Sequence, residues 1–182
     1  MLSKFTNSIP LYIKSFGAII CYNMLNVFLL LGSNIGDRQW YLEQAIIMIE
    51  KEIGGLKKRS SVYETKALGK QESPDYLNQV LQIESELAAQ NILEKILQIE
   101  KNLGRVRKEK WSDRTIDIDI LFYGTEIIND QNLQIPHPEL HKRRFTLEPL
   151  AEIAPEMVHP LLKKSNLQLK DELIDTLNVK KL

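Results

Sequence analysis

A single cysteine, Cys21, in 182 residues excludes an internal disulfide and any cysteine-rich zinc site. Histidine is nearly as scarce: of the three, His137 and His141 have the spacing of a helical zinc pair, but Pro138 lies between them and no third ligand stands nearby. Charge of one sign is missing too, with 24 basic residues against 24 acidic ones, so a nucleic-acid partner would have to be held by a local patch. Long apolar runs are absent. The stretch Phe16 to Leu25 is interrupted by Asn23 and is too short to span a bilayer. Lys4 and Lys14 precede it as in a secretory leader, but the small-residue cleavage site of such a leader is missing. Neither repeats nor low-complexity segments occur. What is left is the composition of an ordinary globular protein, 43% apolar and 26% charged, long enough for one core. We expect a cytoplasmic chain in which residues 1–25 are an N-terminal extension outside the core and residues 26–182 form a single domain, with no membrane, nucleic-acid or obligate protein partner.

From Asn26 onward the periodicities are regular. The unbroken apolar run Val27 to Leu31 predicts a buried strand, ended by Gly32-Ser33-Asn34. Leu42, Ala45, Ile46, Ile49 and Ile53 recur at helical spacing, and Gly54-Gly55 would stop that helix as C-terminal glycines do. Leu56 to Thr65 predicts a second strand, and Tyr76 to Leu87 a third in which Leu77, Leu81, Ile83 and Leu87 share one face. Ile92, Ile96, Ile99 and Leu103 define a second amphipathic helix closed by Gly104, and Ile116 to Tyr123 a fourth strand. The order βαββαβ predicts an α+β, ferredoxin-like domain: an antiparallel sheet carrying helices on one face, with short helices added beyond Pro136.

In the fourth strand, Ile116, Ile118, Ile120 and Phe122 would face the helices while Asp117 and Asp119 face the other way, their Cα atoms about 7 Å apart. At about 5 Å between charges and an effective dielectric of about 20, two carboxylates repel by roughly 3 kcal/mol. A hard divalent cation relieves that repulsion, and magnesium takes a few carboxylates together with water and substrate phosphates. An isolated Asp-x-Asp is also met on ordinary solvent-facing strands; the segment before it sharpens the reading. Arg105, Arg107, Lys108, Lys110 and Arg114 surround Trp111 and lead directly into the aspartates. Arginine's planar fork suits phosphate, and mutual repulsion within so short a stretch predicts that the segment Arg105 to Arg114 closes only around a bound anionic substrate. Tyr76 and Asn78, two apart on the third strand, offer a ring and an amide to a flat, hydrogen-bonding heterocycle, although a plain sheet aromatic and a turn residue would read the same. Gly32-Ser33-Asn34-Ile35-Gly36 lacks both the P-loop ending and the dinucleotide fingerprint, so it reads as a tight turn. Two other classes stand beside the enzyme: a metal-binding regulatory domain, and an RNA-binding module. The second would have to stack bases on the face that carries Asp117 and Asp119.

Taken in order, Leu31-Gly32-Ser33-Asn34, Tyr63-x-Thr65, Asp75-Tyr76-Leu77-Asn78, Gly104-Arg105-Val106-Arg107, Trp111 with Arg114 through Asp119, and Ile135-Pro136-His137-Pro138 followed by Arg143, Arg144 and Phe145 carry a likeness to a known family. Over about residues 26 to 160 the chain resembles the 6-hydroxymethyl-7,8-dihydropterin pyrophosphokinases of folate biosynthesis. That resemblance implies transfer of diphosphate from ATP to the pterin hydroxymethyl group, with release of AMP and two magnesium ions on Asp117 and Asp119. It implies that Arg105, Arg107, Arg114, His137 and Arg143 surround the triphosphate beside Trp111, with Arg105 and Arg114 sharing the catalytic role of the aspartates. Glu100 and Ile120 match positions near the nucleoside. Tyr76 and Phe145 would sandwich the pterin, while Thr65, Asn78 and the Leu68 backbone read its edge. Lys66-Ala67 stands where many members carry proline, and Asn132 and Gln134 stand where some members contact nucleotide. No fused aldolase or synthase domain follows, which implies a single activity.

Overall fold

The run from Val27 to Leu31 is apolar at every position because both faces of its strand are buried. In the computed structural model, which describes residues 24–66, 74–105 and 113–182, that run lies within β1 (Leu25–Ser33). The strand takes in Leu25, one residue ahead of the expected domain boundary. There follow α1 (Arg38–Glu52), β2 (Gly55–Arg59), β3 (Tyr63–Thr65), β4 (Tyr76–Ser85), α2 (Ala89–Asn102) and β5 (Asp117–Tyr123). A hairpin of β6 (Ile128–Asn129) and β7 (Gln134–Ile135), a 3-10 turn at Leu140–Lys142, α3 (Arg144–Ile153), α4 (Asn166–Asp171) and β8 (Val179–Lys181) complete the order. The main sheet runs β5-β1-β4-β3-β8, antiparallel throughout, with β2 pairing the far end of β4. The α+β arrangement expected from the periodicities is present, as an antiparallel sheet with helices packed on it.

Four local outcomes differ from the sequence reading, each for a physical reason. The strand expected over Leu56 to Thr65 is two strands, because at Ser60 the side-chain hydroxyl, not the backbone, accepts the Val80 N–H at 3.0 Å. Gly54 is not a left-handed helix cap. A Cβ there would stand 2.1 Å from the Glu84 carbonyl oxygen, so close approach to β4 demands glycine, while α1 ends at Ile53. The pairing of β1 with β5 skips Leu121, and this bulge turns Phe122 away from Ile116, Ile118 and Ile120. Finally, the sheet is covered on both faces rather than one. Leu42, Ile46, Ile49, Ile92, Ile96 and Ile99 of α1 and α2 pack on one side. On the other, Phe28, Leu30, Val80, Leu121 and Phe122 lie under Leu147 and Leu150 of α3 and Leu169 of α4. No helix among the described residues is long and apolar enough to cross a membrane.

Candidate active site

The apolar cover on the second face stops at one row of the sheet. Asp119 pairs with Leu30, and Leu30 with Val80; the next row on that face runs Asp117, Gly32, Asn78, Tyr63. Gly32 has no side chain to fill the space between Asp117 and Asn78. A Cβ built there would lie 3.4 Å from Asn78 Oδ1 and 3.9 Å from Tyr76 Cδ1, so the amide and the phenol ring border a gap whose floor is bare backbone. Asn78 Nδ2 donates to Thr65 Oγ1 at 2.9 Å, which fixes the amide with its Oδ1 toward that gap. Burial raises the Tyr76 phenol above its ordinary range and keeps it protonated. Asp117, Asp119, Thr65, Tyr76 and Asn78 therefore share one face.

The cations are held by the ends of two elements. Gly104, with φ of 81°, follows the last turn of α2, and the Gly104 and Arg105 N–H groups return to the Lys101 and Glu100 carbonyls at 3.1 and 3.0 Å. This reversal turns Arg105 back onto the buried Glu100 carboxylate, which also accepts the Ile118 N–H at 2.9 Å. The same guanidinium reaches Asp117 Oδ1, and Arg114 holds Asp117 Oδ2. Asn34, only 1% exposed, fastens Arg114 in place. Its Oδ1 accepts the Arg114 N–H at 2.8 Å, its Nδ2 donates to Asp113 at 2.7 Å, and its own N–H meets the Arg114 carbonyl at 3.2 Å. Sequence reasoning read Gly32-Ser33-Asn34 as a turn and missed both the floor glycine and this clamp; the only signal was a glycine and an asparagine at the end of a fully apolar strand.

Asp119 differs from its neighbour. Among the described residues it accepts no hydrogen bond and meets no cation within salt-bridge distance. It is half-buried. Burial first, and then the like charge of Asp117, push its carboxyl well above the usual range, against the pull of Arg143 and Arg105. Each Asp117 oxygen keeps a lone pair beyond its arginine, so the two carboxylates fit a hard cation that completes its shell with water and phosphate. No group of three or more His, Cys, Asp or Glu that could hold a metal ion occurs among the described residues.

His137 stands near Arg143 because the bulge frees the Leu121 carbonyl, which accepts the His137 N–H at 3.0 Å. Burial and then the charge of Arg143 lower its imidazole to about 4, so the ring is neutral at pH 7. Its Nδ1 accepts the Glu139 N–H at 3.2 Å, leaving the proton on Nε2 as a donor. Arg143 lies over the Phe145 ring at 5.7 Å and faces no carboxylate within salt-bridge distance among the described residues. Tyr76 and Phe145 are not in ring contact. The Ile120 side chain belongs to the core beneath α1 and α2, so any contact with a ligand on the aspartate face falls to its backbone. Leu68, Arg107 and Trp111 lie outside the described residues, as do positions 106–112 of the expected closing segment Arg105 to Arg114; its ends, Arg105 and Arg114, are held by Glu100, Asp117 and Asn34.

A protein from Aquifex aeolicus named 2-amino-4-hydroxy-6-hydroxymethyldihydropteridine pyrophosphokinase is 44% identical over 149 residues, spanning 82% of this chain and 92% of the relative. One of the same name from Haemophilus influenzae is 41% identical over 152 residues, spanning 83% and 92%. The crystal structure of wild-type Plasmodium falciparum HPPK-DHPS superposes with a TM-score of 0.67 at 17% identity, covering 82% of this chain and 45% of that longer one, a likeness of fold alone. Residues 28–155 match the model of the 7,8-dihydro-6-hydroxymethylpterin-pyrophosphokinase family, and the chain belongs to that family.

Proposed function

We propose that the end of the sheet marked by Asp117, Gly32 and Asn78 is where diphosphate passes from ATP to the hydroxymethyl group of 6-hydroxymethyl-7,8-dihydropterin. The chain is a pyrophosphokinase of folate biosynthesis by its family, an ATP-using enzyme acting on small molecules. The observation that carries the assignment to these residues is the bare floor at Gly32, with a carboxylate pair on one side and a fixed amide and ring on the other.

On the acceptor side, Asn78 Oδ1 and Thr65, with the Leu68 backbone, read the edge of the pterin while Tyr76 and Phe145 take its two faces. On the donor side, Arg105 and Arg114 are already positioned by Glu100 and Asn34 and hold phosphate oxygens without further ordering. Arg107, Arg143 and the Nε2–H of His137 add donors there beside Trp111, and Glu100 and the Ile120 backbone border the nucleoside. Asp117 and Asp119 would hold magnesium, two ions in this reading, which when bound supplies charge neutralisation along the triphosphate. The pterin hydroxyl oxygen then forms its bond to the β-phosphorus, the bridge to the α-phosphate breaks, AMP leaves with the bridging oxygen and the hydroxyl proton passes to solvent water. A single cysteine in the sequence and the use of ATP fit a cytoplasmic enzyme working as one domain over residues 26–182, with no obligate protein or nucleic-acid partner.

Incubating the protein with ATP, magnesium and hydroxymethyl dihydropterin and separating the nucleotides tests the reading. AMP should form in equal amount with the pterin diphosphate and cease when EDTA is added; ADP as the product, or AMP formed without the pterin, would contradict it.

A further inference from the structure

The last residues of the chain lie beyond the matched residues 28–155, yet they hold both walls of the acceptor side. On one wall, β8 pairs Val179, Lys180 and Lys181 with Thr65, Glu64 and Tyr63, so β3 is an interior strand, not a three-residue edge. Glu152 of α3 knots that arrangement. Its carboxylate accepts from the Ser61 hydroxyl at 2.9 Å, the Tyr63 hydroxyl at 2.8 Å and Lys181 Nζ at 3.1 Å. On the other wall, the N-terminus of α3 has no cap of its own, since Arg143 at that position supplies no side-chain acceptor. Asp175 supplies one from a distance. Its Oδ2 accepts the Arg144 N–H at 2.9 Å, its carbonyl accepts Arg144 Nε at 2.8 Å, and its Oδ1 closes the loop on the Leu177 N–H at 2.9 Å. The helix turn so capped carries Arg143 and Phe145, and β3 carries Thr65, the partner of Asn78.

We infer that residues 173–182 form a strap that sets the spacing of the pterin pocket, with Asp175 as a positioning residue for Phe145 and Glu152 with β8 as positioning elements for Thr65 and Asn78. The inference rests on the proposed acceptor site. A cap that only stabilised α3 could sit anywhere on its first turn. This one arises from a segment that, within a few residues, also pairs with the opposite wall, so a shift in one wall is passed to the other. Ring stacking and edge recognition depend on that separation, and a misplacement of about 1 Å can cost up to about a hundredfold.

The test is steady-state kinetics of Asp175→Ala in the full-length protein, with folding checked by circular dichroism and thermal melting. The pterin KM should rise on the order of tenfold. The ATP KM should change less than about threefold, because Arg143 is one of several phosphate donors whereas Phe145 is one of two rings. Asp175→Asn keeps one side-chain oxygen, which can still accept the Arg144 N–H while the Leu177 N–H loses its partner, and should bring the pterin KM back toward the parent value; Glu172→Gln, which breaks only an exposed ion pair with Lys164, should leave it unchanged. A folded Asp175→Ala protein with a lower melting point but an unaltered pterin KM overturns the strap and leaves a plain helix cap. If Asp175→Ala does not fold, Glu152→Ala decides in its place: a raised pterin KM supports the strap and an unchanged one overturns it. Phe145→Ala, run in parallel, decides the acceptor site separately, since an unchanged pterin KM there removes Phe145 from the pocket whatever Asp175 does.

Discussion

At the scale of single residues, the site depends on one missing side chain and one pinned one. Gly32 has an ordinary backbone conformation, and a methyl there would make only van der Waals contact with Asn78 and Tyr76. Gly32→Ala should therefore fold with stability changed by less than about 1 kcal/mol. It occupies the floor between donor and acceptor, however, and one methyl in a shaped pocket is worth about tenfold or more in discrimination. We expect the pterin KM to rise by that factor while the melting point stays put, and an unchanged KM would remove Gly32 from the floor. The aspartates and arginines were legible in the sequence because alternation along a strand and clustering in a loop are short-range patterns. The role of Gly32 was not, since it depends on the register that sets it opposite Asp117 on one side and Asn78 on the other. Asn34 was hidden for the same reason: its three bonds span 79 and 80 positions of chain.

At the scale of elements, periodicity located β4, β5, α1 and α2, each of which buries a repeating apolar face, and an unbroken apolar run located β1, which is buried on both faces. It failed where a side chain or a neighbour overrode the repeat. Ser60 splits one expected strand into β2 and β3, and the skipped Leu121 sends Phe122 to the second core. β8 could not be anticipated, because Val-Lys-Lys has no apolar alternation and forms a strand only by adding to the β3 edge. Gly54 marks the same lesson in energetic form. Its two roles, stopping a helix or admitting a close backbone, predict different substitution costs: a helix-end glycine without positive φ tolerates alanine. With a Cβ only 2.1 Å from the Glu84 carbonyl oxygen, Gly54→Ala must instead push α1 away from β4. We expect a loss of about 3 kcal/mol in chemical denaturation, as for other overpacked sites. A loss under about 0.5 kcal/mol would return Gly54 to the role of a simple helix terminator.

At the scale of the whole molecule, two apolar layers clamp the sheet and leave one polar end of its second face for chemistry. The second layer contains a titration of its own. His159, 3% exposed, lies edge-on to Phe122 at 5.5 Å and to His141 at 6.2 Å, and its Nδ1 accepts the Leu161 and Leu162 N–H groups. Burial, and then the nearby His141, lower its imidazole to about 4. The folded state thus binds fewer protons than the unfolded one between about pH 4 and 6.5, so this contribution is complete above that window and is lost as pH falls, by up to about 1.4 kcal/mol per pH unit. His159→Asn, which keeps an acceptor in place of Nδ1, should flatten the dependence of unfolding free energy on pH in that window; an identical slope would show that His159 does not titrate on unfolding. Asp119 has the opposite sign. Its raised carboxyl means that stability is greatest at low pH and is lost as pH climbs through the folded-state value, a cost that bound cation and triphosphate would offset. The most direct measurement is therefore Asp119→Asn, with melting temperature and turnover read together at pH 8. We expect the variant to melt higher than the parent protein without magnesium, and to lose turnover by about a hundredfold or more with magnesium and both substrates present. Full turnover at ordinary magnesium would contradict the assignment of the metal and of the reaction to this end of the sheet.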